Sequence, residues 1–202
     1  MTTVHQERLA AKFNPERWDG YVAFQHYKHS GINLIEEINS LDPDLVIDVG
    51  CGHNRFKGHI KNLIGFDQQP FPMADLHSTI QEINFRPECA DVLLILGSIQ
   101  FGSKENVYKD FEKAVSWLKP GGHIVMRTLY EFKEEEIPYS DVHYVWTDED
   151  IKYLQEKHNL IMTKGPYIDK APKSSRLVWW WKKMGELTKY SIDPITCRKI
   201  IR

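Results

Sequence analysis

One stretch decides the fold of this chain: residues 45–54, LVIDVGCGHN. A short and nearly continuous apolar run is typical of a strand that is buried on both faces. Glycine then interrupts the run at Gly50 and Gly52. Because glycine has no Cβ atom, a ligand can lie directly against the backbone N–H groups of such a turn. The stretch therefore predicts a buried strand followed by a ligand-binding glycine turn.

A second apolar run, residues 63–66 (LIGF), ends at Asp67, nineteen residues beyond Asp48. A carboxylate at the end of the second strand can accept hydrogen bonds from the two hydroxyls of a ribose. Ligands of open parallel sheets bind outside the carboxyl ends of the strands, which is where both the glycine turn and Asp67 fall. Together they predict a site for a nucleotide-like ligand.

The rest of the chain alternates between helical and strand patterns, which predicts an α/β fold with a doubly wound, mostly parallel sheet. Residues 68–75 hold two prolines, so a loop is expected in place of a helix between the second and third strands. The last two strands flank a segment with two prolines and no room for a crossover helix, which predicts antiparallel addition. The predicted helices are 31–40, 55–62, 104–118 and 148–158, and the predicted strands are 45–49, 63–66, 91–96, 123–127, 160–163 and 176–181.

The composition is that of a globular protein. Hydrophobic residues make up 42% of the 202 residues and charged residues 27%, which excludes a disordered chain. Three scattered cysteines exclude a disulfide scaffold or a four-ligand zinc site, and no His-x-x-x-His or Cys-x-x-Cys pair lies on one element, so we expect no metal site. Apolar runs too short to cross a membrane and a polar N-terminus predict a cytoplasmic protein without membrane contact.

The motifs resemble those of the class I S-adenosylmethionine-dependent methyltransferase family, over approximately residues 41–181. The first motif is matched by residues 48–52, the fourth-strand motif by 91–98 and the turn before the fifth strand by 118–122. The resemblance implies a Rossmann-like sheet and S-adenosyl-L-methionine as the cofactor. It implies cofactor contacts from Asp48, Gly50, Cys51, Gly52, Asp67, Gln68, Asp75, Leu76, Gly97 and Ser98.

Several of these assignments have structural alternatives. In the family that the chain resembles, Asp75 would bind the exocyclic amine of adenine and the Leu76 backbone a ring nitrogen, but Asp75 could instead only stabilise its turn. Asp48 could brace the glycine loop, and Cys51 is expected to be a small packing residue. The third glycine of the family's first motif is replaced by Asn54, a residue that tolerates the left-handed backbone.

The resemblance implies transfer of a sulfonium methyl group to an acceptor that the sequence does not name. Neither Ser98 nor Gln100, which follow the fourth strand, is a good base at neutral pH. A small-molecule acceptor is expected, because the chain shows no added recognition domain. One alternative is a catalytically silent protein that binds the cofactor and serves as a regulatory or assembly subunit. Another is an enzyme that uses the same cofactor for aminopropyl transfer, to which the resemblance is weaker. An oxidoreductase that uses NAD is a remote alternative.

The two ends of the chain differ from its middle. We divide it into an N-terminal arm or cap (1–40), a methyltransferase-like domain (41–183) and a basic tail (184–202). Residues 168–202 hold nine basic and three acidic side chains, which could attract nucleic acid or a phosphorylated acceptor or could simply be a solvated face. Residues 13–30 are aromatic and rich in histidine, and we expect them either to close over the cofactor, with contacts from Phe24, Tyr27 and His29, or to form a permanently docked helix.

Overall fold

A computed structural model describes residues 31–128, 143–168 and 177–185. The proposed lid at 13–30 lies outside the described residues. Of the basic tail, only residues 184 and 185 are described. The described part holds three helices, α1 (Leu34–Ser40), α2 (Lys104–Trp117) and α3 (Asp148–His158), and seven strands, β1 (Val46–Val49), β2 (Leu63–Asp67), β3 (Leu76–His77), β4 (Ala90–Leu96), β5 (Leu118–Thr128), β6 (Leu160–Ile168) and β7 (Leu177–Lys183).

The seven strands form one sheet in the order β3-β2-β1-β4-β5-β7-β6. All neighbouring pairs from β3 to β5 are parallel, whereas β7 is antiparallel to both β5 and β6. This confirms the predicted α/β fold with a C-terminal antiparallel strand. The strand order reverses between β1 and β4, and open sheets of this type bind ligands in the crevice at such a point.

Each face of the sheet has its own apolar core. On one face α2 and α3 cover the strands, with Phe111, Trp117 and Leu154 fully buried. On the other face α1 and the segment that follows the glycine turn pack against the sheet. The tryptophans of β7 divide between the faces as strand alternation requires, since Trp179 and Trp181 lie on the first face and Trp180 on the second. Core packing is the expected location for three successive tryptophans on a strand, and all three are buried.

The helices α2 and α3 begin with side-chain caps. The Ser103 side chain accepts a hydrogen bond from the Asn106 N–H at the start of α2. Residues 147–150, TDED, fit an acid-ended version of the capping-box pattern, and Thr147 and Asp150 form this box at the start of α3, where each side chain accepts from the other's backbone N–H. None of the helices in the described ranges is long and apolar enough to cross a membrane.

Two local predictions fail. Residues 55–62 form turns rather than the predicted helix, because Gly58 and Asn62 adopt positive φ angles of 79° and 53° that a right-handed helix cannot include. The strand β3 was not predicted, because two residues are too few to give an alternating pattern. The residues between β2 and β3 contain no helix, as expected from their prolines.

Candidate functional site

The chain turns sharply after β1, and hydrogen bonds to β2 fix the geometry of this turn. Gly50 and Gly52 have φ angles of 65° and 54°. The Cys51 N–H donates to the Phe66 carbonyl oxygen at 3.0 Å, and the Gly52 N–H donates to Oδ2 of Asp67 at 2.9 Å. Asn54 takes the left-handed conformation, with φ 48°, in place of a third glycine. The glycine turn and Asp67 thus form one hydrogen-bonded unit at the carboxyl edge of the sheet.

The two glycines of the turn are required for different reasons. A Cβ atom on Gly50 would lie only 2.4 Å from Cβ of Ser98, at the end of β4, so a side chain there would collide with the protein. A Cβ atom on Gly52 would meet no atom within 4 Å. Gly50 therefore allows the ends of β1 and β4 to approach each other, whereas Gly52 borders open space that a ligand can fill.

Asp67 lies at the end of β2 and is held by two backbone donors. Its Oδ1 accepts from the Gln69 N–H at 2.8 Å, while Oδ2 accepts from Gly52. Burial raises the pKa of Asp67, and the backbone N–H groups only partly oppose this effect. Gln68, the next residue, is exposed at the same edge. The backbone N–H groups of Gly52 and Gln69 thus orient the Asp67 carboxylate, which lies beside the glycine turn, as predicted.

Asp48 lies in the middle of the sheet, where it pairs in register with Gly65 and Leu94. Its side chain is 3% exposed. Burial and then the negative charge of Asp67 raise the pKa of Asp48 to about 7, although Arg127 acts in the opposite direction. Near neutral pH this carboxyl group therefore exchanges between its protonated and ionised forms.

Burial also raises the pKa of the neighbouring Cys51 thiol, and the charges of Asp48, Asp67 and Asp75 add to the effect. A thiol whose pKa is raised holds its proton at neutral pH and is a poor nucleophile. Cys51 therefore fits the expected description of a small packing residue.

Asp75 lies at the amino end of β3, where its N–H donates to the Gly65 carbonyl oxygen at 2.8 Å. Its Oδ2 accepts from the Gly65 N–H at 2.9 Å and from Nδ2 of Asn54 at 3.0 Å, and Lys57 forms a salt bridge with the same carboxylate. Burial raises the pKa of Asp75, but these donors outweigh it and lower the pKa overall. The Asp75 carboxylate thus binds groups of the protein itself, which favours the turn-stabilising alternative over an adenine contact.

The position of Leu76 leads to the same conclusion. Leu76 pairs with Phe66, and the carboxyl end of β3 is His77, which pairs with Asp67. The Leu76 side chain is 42% exposed. A ligand at the edge beside Asp67 is therefore closer to the residues after His77 than to Asp75. The assignment of Asp75 and Leu76 to an adenine ring stays a prediction.

The end of β4 completes the site on the side away from β2. Gly97 has a φ angle of 95°, and Ser98 after it lies against Gly50. The Ser98 hydroxyl is buried, and it has no hydrogen-bond partner within the ranges that the structure describes. A buried hydroxyl without a partner costs free energy, so a ligand atom that bonded to it would be favoured. The structure therefore brings seven of the predicted residues together: Asp48, Gly50, Cys51, Gly52, Asp67, Gly97 and Ser98.

Sequence reasoning missed Arg127 and Thr128, two buried polar residues at the end of β5. The Thr128 hydroxyl donates to Oε1 of Gln100 at 3.0 Å, and Nη2 of Arg127 donates to the Leu96 carbonyl oxygen at 3.0 Å. All three polar side chains are buried at the carboxyl ends of β4 and β5. The signal that could have revealed them is a charged residue directly after the apolar run Ile124-Val125-Met126.

No protein-family model matches this sequence, and neither does any curated protein. Solved structures do match its fold. The 1,6-didemethyltoxoflavin-N1-methyltransferase of Burkholderia thailandensis, solved with its didemethyltoxoflavin and S-adenosylhomocysteine, is 13% identical and has a TM-score of 0.67 over 92% of each chain. The N-methyltransferase NodS of Bradyrhizobium japonicum, solved with S-adenosylhomocysteine, is 15% identical, with a TM-score of 0.60 over 90% of this chain and 93% of NodS.

A third match comes from the complex between the Trm112 methyltransferase activator of Haloferax volcanii and a methyltransferase. It is 12% identical, with a TM-score of 0.64 over 92% of this chain and the whole of the other. At these identities the likeness concerns the path of the backbone. It extends over nearly the full length of each partner in the comparison.

Proposed function

Because this chain has the class I S-adenosylmethionine-dependent methyltransferase fold, we propose that it binds S-adenosylmethionine and transfers the sulfonium methyl group to a small-molecule acceptor. One observation carries the proposal: the Gly52 N–H is hydrogen-bonded to the Asp67 carboxylate beside the strand-order reversal. This pairs a turn that leaves space for a ligand with a carboxylate suited to a ribose diol.

The residues at this edge fit the cofactor. Asp67, with Gln68 beside it, would accept hydrogen bonds from the ribose. Gly52 borders the open space that the ligand needs. The Ser98 hydroxyl has no partner among the described residues and is an available contact for the amino-acid portion of the cofactor. The carboxyl groups of Asp48 and Asp67 favour a ligand that carries positive charge.

When bound, S-adenosylmethionine supplies a methyl group that is already activated for displacement. The chain's own residues then have to position the acceptor and exclude water rather than supply a strong acid or base. Cys51 adjoins the site but keeps its proton, because burial and three nearby carboxyl groups raise its pKa. It therefore does not compete with the acceptor for the methyl group.

The neighbours of known structure support a small acceptor. One was solved with 1,6-didemethyltoxoflavin, and NodS is an N-methyltransferase solved with S-adenosylhomocysteine. By analogy with these two proteins, we expect the methyl acceptor of this chain to be a small molecule rather than nucleic acid. A phosphorylated or nucleic-acid acceptor held through the basic tail is the alternative, and so is a protein partner, since one neighbour was solved with an activator.

Calorimetry followed by a labelling assay tests the proposal. S-adenosylhomocysteine should bind the wild type and bind Asp67→Ala much more weakly. Asp44→Ala is the matched control, because Asp44 is an exposed acid and should leave the affinity unchanged. Methyl-labelled S-adenosylmethionine is then supplied with a metabolite extract. A labelled product supports the enzyme, binding without any transfer supports the silent binder, and absence of binding contradicts the proposal.

A further inference from the structure

Asn54 is the second residue after Gly52, and it is fully buried. Its Nδ2 donates two hydrogen bonds, one to the Met73 carbonyl oxygen at 2.9 Å and one to Oδ2 of Asp75 at 3.0 Å. Both acceptors lie in the loop between β2 and β3, nineteen and twenty-one positions further along the chain. The side-chain amide of Asn54 therefore ties the end of the glycine turn to this loop.

The loop, residues 68–75, contains no helix, and the strand β3 that follows it pairs with β2 through only two residues. Asp75 bonds to both backbone groups of Gly65, because its N–H donates to the Gly65 carbonyl oxygen and its carboxylate accepts from the Gly65 N–H. A Cβ atom on Gly65 would lie 2.7 to 2.9 Å from the atoms of the Asn54 amide, so the glycine gives this amide room against β2. Asn54, Gly65 and Asp75 thus form one packed unit, which we call the amide clamp.

The two segments that the amide clamp joins are the same two that orient Asp67. Oδ2 of Asp67 accepts from the Gly52 N–H in the glycine turn, and Oδ1 accepts from the Gln69 N–H in the loop. The strand that follows the loop also returns to Asp67, since His77 pairs with it in register. A change in the separation of the turn and the loop would therefore move one of these two donors away from the carboxylate.

An asparagine serves this position better than the glycine of the first motif that it replaces. Asparagine tolerates the left-handed backbone of the turn, where φ is 48°, and its amide supplies two N–H donors. A glycine would allow the same backbone but would leave the loop without both bonds. A loop that is fixed before a ligand arrives does not have to be ordered on binding, and this preorganisation strengthens affinity.

We propose that Asn54 is a positioning residue for cofactor binding, which acts through Asp67 by fixing the separation of the glycine turn and the loop 68–75. The inference rests on the proposed function and adds a residue to the same site. The amide of Asn54 bonds to the protein, and its effect reaches the ligand through the two N–H groups that hold Asp67 towards a ribose diol.

Calorimetry with S-adenosylhomocysteine tests this role. Asn54→Gly keeps the backbone of the turn but removes both amide bonds, and we expect it to weaken binding by roughly threefold to tenfold. Asn62→Gly is the matched control. Asn62 also has a positive φ angle, 53°, and its Nδ2 also donates to a backbone carbonyl, that of Pro43, but it precedes β2 at the opposite edge of the sheet. Asn62→Gly should bind S-adenosylhomocysteine with the affinity of the wild type.

Two double variants distinguish a positioning role from a general loss of stability. If Asn54 acts through Asp67, Asn54→Gly should cost little further affinity in the Asp67→Ala background, because coupled residues do not contribute additively. Gly65→Ala places a Cβ atom against the Asn54 amide and should itself weaken binding, whereas adding it to Asn54→Gly should have little further effect. Circular dichroism checks that each variant is folded. If Asn54→Gly does not fold, Gly65→Ala, alone and together with Asp67→Ala, provides the same comparison.

The outcomes separate this inference from the proposed function. If the wild type binds S-adenosylhomocysteine and folded Asn54→Gly binds it equally tightly, the inference is wrong and the proposed function is unaffected. The inference is also wrong if Asn54→Gly weakens binding by the same factor with and without the Asp67 carboxylate, or if Asn62→Gly weakens it as much. If the wild type does not bind the ligand, the proposed function is wrong and the inference fails with it.

Discussion

The Gly52 N–H donates to the Asp67 carboxylate at 2.9 Å, although the two residues are fifteen positions apart. This bond joins the turn after β1 to the end of β2. It also gives Asp67 a fixed orientation at the edge where the proposed cofactor binds.

Asp67→Ala should weaken the binding of S-adenosylhomocysteine by about 1.5–3 kcal/mol, the value for a lost hydrogen bond to a charged group. Calorimetry measures the change. Asp75→Asn is the comparison, because the Asp75 carboxylate serves Gly65, Asn54 and Lys57 inside the protein. Asp75→Asn should lower the free energy of unfolding by more than it weakens the binding free energy of S-adenosylhomocysteine. Equal losses of affinity in the two variants would support the adenine role of Asp75.

Gly52→Ala should abolish ligand binding while the protein stays folded, because the added Cβ atom enters open space and meets no protein atom. Gly58→Ala is the control for backbone strain. Gly58 also has a positive φ angle, 79°, and also has no atom within 4 Å of the added Cβ position, but it lies outside the proposed site. Gly58→Ala should bind S-adenosylhomocysteine with the affinity of the wild type. Gly50→Ala should instead destabilise the fold, through its contact with Ser98.

The stability of the protein should depend on pH through Asp48. The pKa of this group is about 7 in the folded protein, against an ordinary value of 3.8. The folded state therefore binds the proton more tightly, and the contribution of Asp48 to stability is lost as the pH rises from about 4 to about 7. Urea unfolding at pH 5 and pH 8 should show a larger decrease for the wild type than for Asp48→Asn. A decrease of the same size in both would contradict the raised pKa.

Asp150→Ala should destabilise the protein by about 3 kcal/mol, the cost of breaking a buried charged network. The Asp150 side chain is fully buried and accepts hydrogen bonds from Tyr108 and Tyr144, besides its salt bridge with Lys104 and its place in the capping box. These donors outweigh the effect of burial and lower the pKa of Asp150. Glu149→Gln, an exposed acid in the same turn, should change the free energy of unfolding by much less.

Residues 13–30 should gain protection from hydrogen exchange when S-adenosylhomocysteine binds, if they close over the site as a lid. Closure would exclude water from the reacting groups. Peptides from α2 serve as an internal reference, because this helix packs on the sheet away from the glycine turn. Unchanged protection in residues 13–30 would favour the docked helix instead.

The sequence by itself determined the sheet, the glycine turn and the position of Asp67. Buried strands and amphipathic helices can be recognised in the sequence, because their apolar residues recur with the period of each element. For this reason the sequence alone correctly predicted the strand at 45–49 and the helix at 104–118, and it led us to expect the burial of the three tryptophans of β7. The Thr147 capping box is local in the same way, since its two partners are three residues apart.

Only the tertiary structure shows which groups Asp75, Ser98 and Arg127 contact. Each of these side chains acts across strands that are distant in sequence. Asp75 bonds to Gly65 and Asn54, Ser98 packs against Gly50, and Arg127 donates to Leu96. The two-residue strand β3 is likewise fixed by pairing with β2 rather than by a pattern of its own. Sequence periodicity records which side chains are buried, but long-range pairing and register decide which of them meet.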